Sequence, residues 1–298
     1  MKKILITGKN SKVAIAVNNW LSQWPEKYDI NMISLRDGTW KTHDLSKYDV
    51  IFHVAGIAHV TLDPSMEDLF YRVNRDLTIE VADKAKAAGI RQFIFMSSGI
   101  VYGDSSDVGK NLLITKNTLP NPTNFYGMSK LQAEKGLKKL EDDTFKVVII
   151  RSPALYGIGM KSHYNNLSRY AKKYHFFPNV SNCRSMLYNK NLAEFVRLLI
   201  ENEESGIFCP QNKEYTSTKG IICDIARIHN RKIKLIPIPR IVMQIGAVLF
   251  PSVRKAFGNF VYEKKMSEYR IDYRLYSYEE SLMEIETCNE ELIIEKLM

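Results

Sequence analysis

The residues best suited to chemistry are Tyr126 and Lys130, in the segment NFYGMSK at residues 124–130. They stand four apart, so a helix would place both side chains on one face. An ammonium group beside a phenol stabilises the phenolate and lowers its pKa from about 10 toward neutrality. The pattern therefore predicts a tyrosine that gives or takes a proton, with the lysine as its partner.

A serine joins this pair from another part of the chain. Ser98 ends the apolar run QFIFMSS, residues 92–98, which is typical of a buried strand. In an α/β protein, ligands bind at the carboxyl edge of the sheet, where such a strand ends. We therefore expect the Ser98 hydroxyl to hydrogen-bond a substrate carbonyl oxygen and to aid its polarisation.

A turn suited to a dinucleotide follows the first apolar run, in ILITGKNSKVA at residues 4–14. Such a turn usually has three glycines, for the tight turn, the approach of the pyrophosphate and the packing of helix on strand. Here Gly8, Ser11 and Ala14 occupy those positions, and all three are small. A helix beginning behind Lys12 would offer free N–H groups to a phosphate. We expect a dinucleotide to bind here, less tightly than with three glycines.

The end of the second predicted strand bears on which cofactor is bound. An acidic residue there accepts hydrogen bonds from the ribose of NAD, whereas an arginine suits the 2′-phosphate of NADP. The segment MISLRDG places Arg36 at or beside this position and Asp37 next to it. With Lys9 and Lys12 in the turn the local charge is positive, which favours NADP, while Asp37 keeps NAD open.

Strand-like and helix-like segments alternate through the first half of the chain, which predicts βαβ units around a parallel sheet. One of the predicted helices, LFYRVNRDLTIEVADKAKAAG, is closed by Gly89. We expect an α/β fold with a doubly wound parallel sheet of the Rossmann type and a smaller C-terminal lobe for substrate. The expected dinucleotide-binding domain is 1–157, with 188–209 packing back onto it, and the expected lobe is 158–187 with 210–298.

The segment IPRIVMQIGAVLFPSVRKAF, residues 238–257, is apolar with basic interruptions. It could be an amphipathic helix lying on a membrane surface, but packing on its own lobe is the favoured interpretation. The sequence leaves the role of residues 237–260 open.

The composition is that of an ordinary globular protein, with 298 residues, 45% hydrophobic and 25% charged. No apolar run reaches the ~18 residues of a membrane span and the first one is too short for a secretory signal, so we expect no membrane span and a cytoplasmic location. The four cysteines lack metal-ligand spacing, and no metal site is predicted. The formal charge of +9 favours an anionic partner, but the basic residues are dispersed, which argues against nucleic acid.

The chain resembles the extended short-chain dehydrogenase/reductase family, in its NAD-dependent epimerase/dehydratase branch that modifies nucleotide sugars. The resemblance extends from residue 3 to about residue 200. It rests on seven segments in family order and spacing: ITGKNSKVA, HDLSKYDVIFHVAG, YRVNRDLT, FIFMSSGIVYG, YGMSK, IIRSPALYGIG and RSMLYNKNLAEFV.

The resemblance implies roles for individual residues. Tyr126 becomes the catalytic acid/base, Lys130 its pKa-lowering partner and ribose ligand, and Ser98 the hydroxyl that orients the substrate. The other residues implied to bind the cofactor are Gly8, Lys9, Asn10, Ser11, Lys12, Val13, Arg36, Asp44, Leu45, Val54, Ala55, Gly56, Asn74, Ser97, Ser152 and Pro153. For the substrate, besides Ser98, the resemblance implies Arg184 at the nucleotide diphosphate. His59, Tyr102 and Asn165 are further candidates for binding the substrate, with a loop position for His59 and Asn165 and a structural role for Tyr102 as the alternatives.

The resemblance implies an NAD(P)-dependent enzyme that moves a hydride to or from C4 of a UDP-linked hexose, in the synthesis of surface-polysaccharide precursors. A 4-keto-sugar reductase and an epimerase both fit. UDP-glucose 4-epimerase proper is an alternative, although Ala154 replaces an asparagine that often holds its sugar nucleotide. A non-catalytic NAD(P)-sensing protein is an alternative of another class, supported only by the turn that has one glycine where three are usual. The family resemblance leaves a homodimer open.

Overall fold

A six-stranded parallel sheet forms the centre of the computed structural model, which describes residues 1–58, 63–160 and 162–297, with side chains for all of these except 251 and 289–297. The strands are β1 (Lys2–Thr7), β2 (Tyr28–Ile33), β3 (Val50–His53), β4 (Gln92–Ser98), β5 (Leu113–Ile114), β6 (Lys146–Ser152), β7 (Ala154–Tyr156), β8 (Phe176–Pro178), β9 (Met186–Tyr188), β10 (Gly206–Phe208), β11 (Lys234–Ile236) and β12 (Val261–Tyr262). The helices are α1 (Lys12–Leu21), α2 (Glu67–Phe70), α3 (Leu77–Ala87), α4 (Phe125–Leu140), α5 (His163–Lys173), α6 (Asn189–Glu201), α7 (Thr218–Ile228), α8 (Arg240–Leu249), α9 (Pro251–Phe257) and α10 (Tyr278–Leu297).

The strand order of the main sheet is β10-β6-β4-β3-β1-β2, with every pair parallel. The chain builds outward from β1 to β2 and then crosses to β3 on the other side of β1. The order therefore reverses between β1 and β3, and ligands bind outside the carboxyl ends of the strands at such a point. The predicted α/β fold with a doubly wound parallel sheet is confirmed.

Successive side chains of the central strands fill two cores on opposite faces of the sheet. Ile4 and Ile6 pack with α1 and α6 on one face. Leu5 and Ile51 pack with α3 and α4 on the other. Because both faces are covered, the strands are almost continuously apolar, as expected for a parallel sheet.

The helical segment before β4 is divided into three parts. A π-helical turn, Tyr71–Asp76, lies between α2 and α3, where the sequence predicts one uninterrupted helix. Gly89 follows the last turn with a φ of +82°, which is the left-handed conformation that ends helices. The π-helical turn carries Asn74, which is fully buried.

The C-terminal lobe has its own core and also returns to the main sheet. Tyr164, Leu167 and Ile222 pack together with other apolar residues of α5 and α7. Tyr273, by contrast, is buried in the same core as Ile4 and α6. The chain beyond residue 260 therefore contributes to both cores.

Helix α8 packs on its own lobe, as the sequence predicts, but only through Met243 and Ala247. Met243 is the one buried residue within it, whereas Ile241, Ile245 and Val248 are more than half exposed. Most of the apolar side of this helix therefore faces outward. Among the residues described, no helix is long and apolar enough to cross a membrane.

Candidate active site

The turn between β1 and α1 is built for close approach of backbone to backbone. Gly8 has a φ of +86°, and a Cβ there would lie 2.9 Å from the backbone nitrogen of Ala55, in the loop after β3. Only glycine tolerates both constraints. Helix α1 begins after Ser11, whose side chain forms no capping hydrogen bond, so its first N–H groups are open to an anionic ligand.

A cavity of about 400 Å³ opens beside this turn at the end of β2. Its polar lining comes from Lys9, Ser34, Asp37, Thr39, Thr42, His43 and Asp44. The Asp37 carboxylate accepts hydrogen bonds from the backbone N–H and hydroxyl of Thr39, at 3.2 and 2.7 Å, and these bonds lower the pKa of Asp37. Arg36 is exposed and does not line the cavity. The position and polarity of the cavity fit the adenosine end of a dinucleotide.

Asn74 braces the loop after β3. Its side-chain oxygen accepts the N–H of Ile57 at 2.7 Å, and its amide nitrogen donates to the carbonyl of Ile57 at 3.1 Å and to the hydroxyl of Ser129 at 3.2 Å. A Cβ at Gly56 would lie 2.9 Å from the Asn74 oxygen. The loop is therefore held between the π-helical turn and α4, and such turns occur frequently at functional sites.

Tyr126 lies in the first turn of α4, which begins after Asn124. The Asn124 side chain caps the helix by accepting the N–H of Gly127 at 2.9 Å. The Ser98 oxygen accepts the N–H of Ile100 at 3.3 Å. Burial raises the pKa of Tyr126, and the nearby Ser98 hydroxyl opposes this rise.

Lys130 is buried one helical turn after Tyr126. Its ammonium group donates to the carbonyl of Met96 at 3.0 Å and lies 4.6 Å from the centre of the Phe95 ring. Burial lowers the pKa of Lys130 to about 8, against the charge of Glu134. The predicted lowering of the Tyr126 pKa by this lysine is wrong for this arrangement, because burial dominates and leaves the phenol protonated at neutral pH.

Two further residues near the site, Glu134 and Arg151, were not identified from the sequence. Glu134 follows Lys130 by one more helical turn and forms a buried ion pair with Arg151 at the end of β6, at 2.6 Å. Arg151 also donates to the hydroxyl of Tyr102 at 2.7 Å, and Ser97 donates to Glu134. The signal was present in the sequence, since Tyr126, Lys130 and Glu134 recur every four residues on one helix. This network connects α4, β4 and β6 in the interior next to the site.

The remaining residues implied for the cofactor lie on the same edge of the sheet. Ser152 lies directly beside Ser98 in the β4–β6 register, and its hydroxyl donates to the carbonyl of Pro153 at 3.0 Å. The Ser97 side chain turns into the interior toward Glu134, so only its backbone faces the edge. Asp44 accepts from the hydroxyl of Ser46 at 2.7 Å within the cavity wall.

The residues implied for the substrate are more widely distributed. Arg184 donates to the carbonyl of Lys255 and to the hydroxyl of Ser105 at 3.0 Å, and burial lowers its pKa. Asn165 caps α5 through the backbone and hydroxyl of Ser162, at 3.3 and 3.1 Å. The Tyr102 hydroxyl belongs to the internal network, and burial raises its pKa to about 12. His59 lies outside the described residues.

His53 is a core histidine, as its apolar strand predicts. One ring nitrogen lies 3.0 Å from the hydroxyl of Thr7 and the other 3.1 Å from that of Thr78. Burial lowers its pKa to about 3, so the ring is neutral and both nitrogens have partners.

Comparison with known proteins gives a family and a fold. The model of the NAD dependent epimerase/dehydratase family matches residues 11–209. UDP-glucose 4-epimerase of Vibrio cholerae is 32% identical over 203 residues, which are 65% of this chain and 61% of that protein. N-acetyl-alpha-D-glucosaminyl-diphospho-ditrans,octacis-undecaprenol 4-epimerase of Escherichia coli is 27% identical over 203 residues, 66% of this chain and 60% of that protein. The chain thus spans about three fifths of the length of these curated relatives.

Among solved structures, the dTDP-4-dehydrorhamnose reductase of Bacillus anthracis, in complex with NADP, is similar to the whole chain. The TM-score is 0.72 at 20% sequence identity, covering 96% of this chain and 98% of that one. At this identity the similarity establishes the fold.

Proposed function

The chain belongs to the NAD dependent epimerase/dehydratase family, whose members are NAD(P)-dependent enzymes, and from this premise we propose that it transfers a hydride at C4 of a UDP-linked hexose. The observation that carries the proposal is that the Tyr126 phenol and the Ser98 hydroxyl lie together at the sheet edge, with Lys130 one helical turn away. Both curated relatives are named for 4-epimerases of sugars carried on a diphosphate, which supports C4 as the reacting position.

The protein's own residues supply the proton and the orientation. When bound, the cofactor would supply the hydride as NAD(P)H in the reducing direction and would accept it as NAD(P)⁺ in the oxidising direction. In the reducing direction Tyr126 donates its phenolic proton to the C4 oxygen, while the Ser98 hydroxyl holds the same oxygen by a hydrogen bond. The cation of Lys130 stabilises the phenolate that remains. The sugar carbonyl becomes an alcohol, and the proton returns to Tyr126 from solvent.

A 4-keto-sugar reductase is the first candidate, because Arg36 beside the cavity suits NADPH, the cofactor that such a reductase consumes in each turnover. Epimerisation remains the second candidate because the Vibrio cholerae relative is named for it. A cytoplasmic enzyme that supplies precursors of surface polysaccharide is the setting that we propose.

The test is oxidation of NADPH with a UDP-4-keto-6-deoxyhexosamine as substrate. We expect turnover by the wild type and a loss of roughly 10²- to 10⁴-fold in Tyr126→Phe. The control is Tyr174→Phe, an exposed tyrosine of the lobe. Conversion of UDP-glucose to UDP-galactose, without net use of cofactor, would identify an epimerase instead. Cofactor binding without either reaction would support the sensing protein.

The preference between NADP and NAD is tested separately at the end of β2. We propose that Arg36, exposed beside the cavity, contacts the 2′-phosphate of NADP, whereas Asp37 in the cavity wall accepts from the ribose of NAD. Arg36→Ala should weaken NADPH binding by roughly tenfold and leave NADH unchanged, since a charge-assisted hydrogen bond contributes ~1.5–3 kcal/mol. Asp37→Asn should weaken the binding of NADH instead. Equal effects on both cofactors in isothermal titration would contradict the assignment.

A further inference from the structure

Large apolar side chains are concentrated on the exposed side of α8 and directly after it. Ile241, Val242, Ile245, Val248 and Leu249 are 53 to 83% exposed. On a helix these five positions form one stripe about 120° wide. Phe250, 60% exposed, extends the stripe beyond the helix end. We call these six residues the α8 face.

This helix is turned the opposite way from an ordinary surface helix. The side that packs on the lobe holds Met243 and Ala247, and the wider, more strongly apolar side faces outward. A surface helix of a globular protein normally buries its apolar stripe. Large exposed apolar patches rimmed by polar residues mark sites that bind a partner or a membrane.

The charged residues of the chain segment that contains the α8 face are all basic, and one of them, Arg254, lies 3.9 Å from Asp104 of a neighbouring loop. Between Asp224 and Glu263 the chain has no acidic residue. Its basic residues in this interval are Arg227, Arg231, Lys232, Lys234, Arg240, Arg254 and Lys255. Lys232, Lys234 and Arg240 precede or begin the helix and are exposed, and Lys255 is exposed on α9.

An apolar stripe with a cationic border matches the surface of an anionic bilayer. Apolar side chains enter the boundary between headgroups and acyl chains, and lysines and arginines nearby are attracted to anionic lipids. A second copy of this chain would bring two cationic borders together, which is unfavourable. We propose that the α8 face docks the protein on an anionic phospholipid membrane as a peripheral protein.

The docking surface is connected to the candidate active site. The backbone carbonyls of Lys255 and Ala256, in α9, accept hydrogen bonds from the guanidinium group of Arg184. Helix α9 also packs against α8. Docking would therefore hold the diphosphate end of the proposed substrate site near the lipid headgroups. The docking itself stands on the surface alone and does not depend on the proposed reaction.

The test is flotation of the full-length protein with vesicles. We expect binding to vesicles of three parts phosphatidylcholine to one part phosphatidylglycerol and much weaker binding to pure phosphatidylcholine. Binding should decrease with added salt, because surface charges are screened. No binding to either vesicle type, or equal binding to both, would overturn the proposal.

Two matched variants distinguish binding through the α8 face from nonspecific binding to vesicles. Val248→Asp should reduce vesicle binding by on the order of tenfold, since a charge is placed in the stripe. Leu119→Asp, a change at a residue 82% exposed elsewhere, should leave binding unchanged. Lys232→Gln with Lys234→Gln should weaken binding to anionic vesicles only.

Circular dichroism and NADPH binding check that each variant is folded. Unchanged vesicle binding in folded Val248→Asp would overturn the proposal. A second outcome would also overturn the proposal. If the wild type is a dimer in sedimentation velocity, does not bind vesicles, and becomes a monomer in Val248→Asp, then the α8 face joins two copies of the chain.

Discussion

The buried ammonium group of Lys130 makes the stability of the protein depend on pH. Burial lowers its pKa from 10.5 to about 8, so between these values the unfolded chain binds more protons than the folded chain. The contribution of Lys130 to the free energy of unfolding therefore rises from pH 8 to pH 10.5 and is least favourable below pH 8.

Urea unfolding of the wild type and Lys130→Met across this range measures that contribution. The wild-type free energy of unfolding minus that of the variant should rise between pH 8 and pH 10.5 and stay constant from pH 6 to pH 7. Other groups, including the buried tyrosines, cancel in the difference. Lys135→Met, which changes an exposed lysine of the same helix, is the control. A constant difference over the whole range would show that Lys130 is not desolvated.

The β1–α1 turn and the end of α3 offer a matched pair of glycines. Gly8 and Gly89 have similar φ angles, +86° and +82°. A Cβ at Gly89 meets nothing within 4 Å, whereas one at Gly8 meets the backbone of Ala55. Gly89→Ala should therefore cost only the strain of a left-handed residue, about 1 kcal/mol. Gly8→Ala should cost roughly 2 to 4 kcal/mol, since it adds a clash with backbone.

Urea unfolding gives the free energy of unfolding of both glycine variants, and titration with NADPH gives their affinity for the cofactor. Gly8→Ala should also weaken cofactor binding, because the turn opens away from the loop after β3. Gly89→Ala should bind cofactor normally. Equal destabilisation by the two substitutions would mean that the turn can shift to accommodate a side chain.

The sequence predicts the elements of the sheet better than it predicts their side-chain environments. Apolar runs and their order are enough for the parallel strands, because burial on both faces leaves a simple pattern. The spacing of Tyr126 and Lys130 likewise predicts a shared helix face. The direction of the Tyr126 pKa could not be predicted, because it depends on how deeply α4 buries the phenol. The π-helical turn was not predicted either, and the contacts of its residue Asn74 are to Ile57 and Ser129, which are distant in the sequence.

The exposure of most of the apolar side of α8 could not be predicted for a related reason. An amphipathic pattern shows that one side of a helix is apolar, but not whether that side meets the protein or something else. The absence of acidic residues between Asp224 and Glu263 was the available signal, and it gained meaning only once Ile245 and Val248 were found exposed.

At the scale of the whole molecule, Tyr273 ties the C-terminal lobe to the main sheet. The side chain is fully buried beside Phe195 of α6, with ring centres 4.6 Å apart, and its hydroxyl donates to the carbonyl of Gln211 at 3.0 Å. Because the two parts share this core, we expect one cooperative unfolding transition. Tyr273→Ala should lower the free energy of unfolding by about 3–5 kcal/mol.

Urea titration, followed by both tryptophan fluorescence and far-ultraviolet circular dichroism, measures the number of unfolding transitions and the free energy of unfolding. Coincident transitions are expected for the wild type and the variant. Tyr215→Ala, at a tyrosine 36% exposed, should cost much less. Two separate transitions in the wild type would show that the lobe unfolds on its own.

The π-helical turn has a geometric consequence for the molecule. Along an ordinary α-helix, residues four apart drift around the axis by about 40° at each step. A wider turn offsets that drift, and Phe70, Asn74 and Thr78 all contact the interior in succession: the ring of Tyr126, the loop at Ile57 and the imidazole of His53. The three parts of this helical segment thereby contact Tyr126, the loop after β3 and the central strand along one side, although the hydrogen-bonding pattern changes between them.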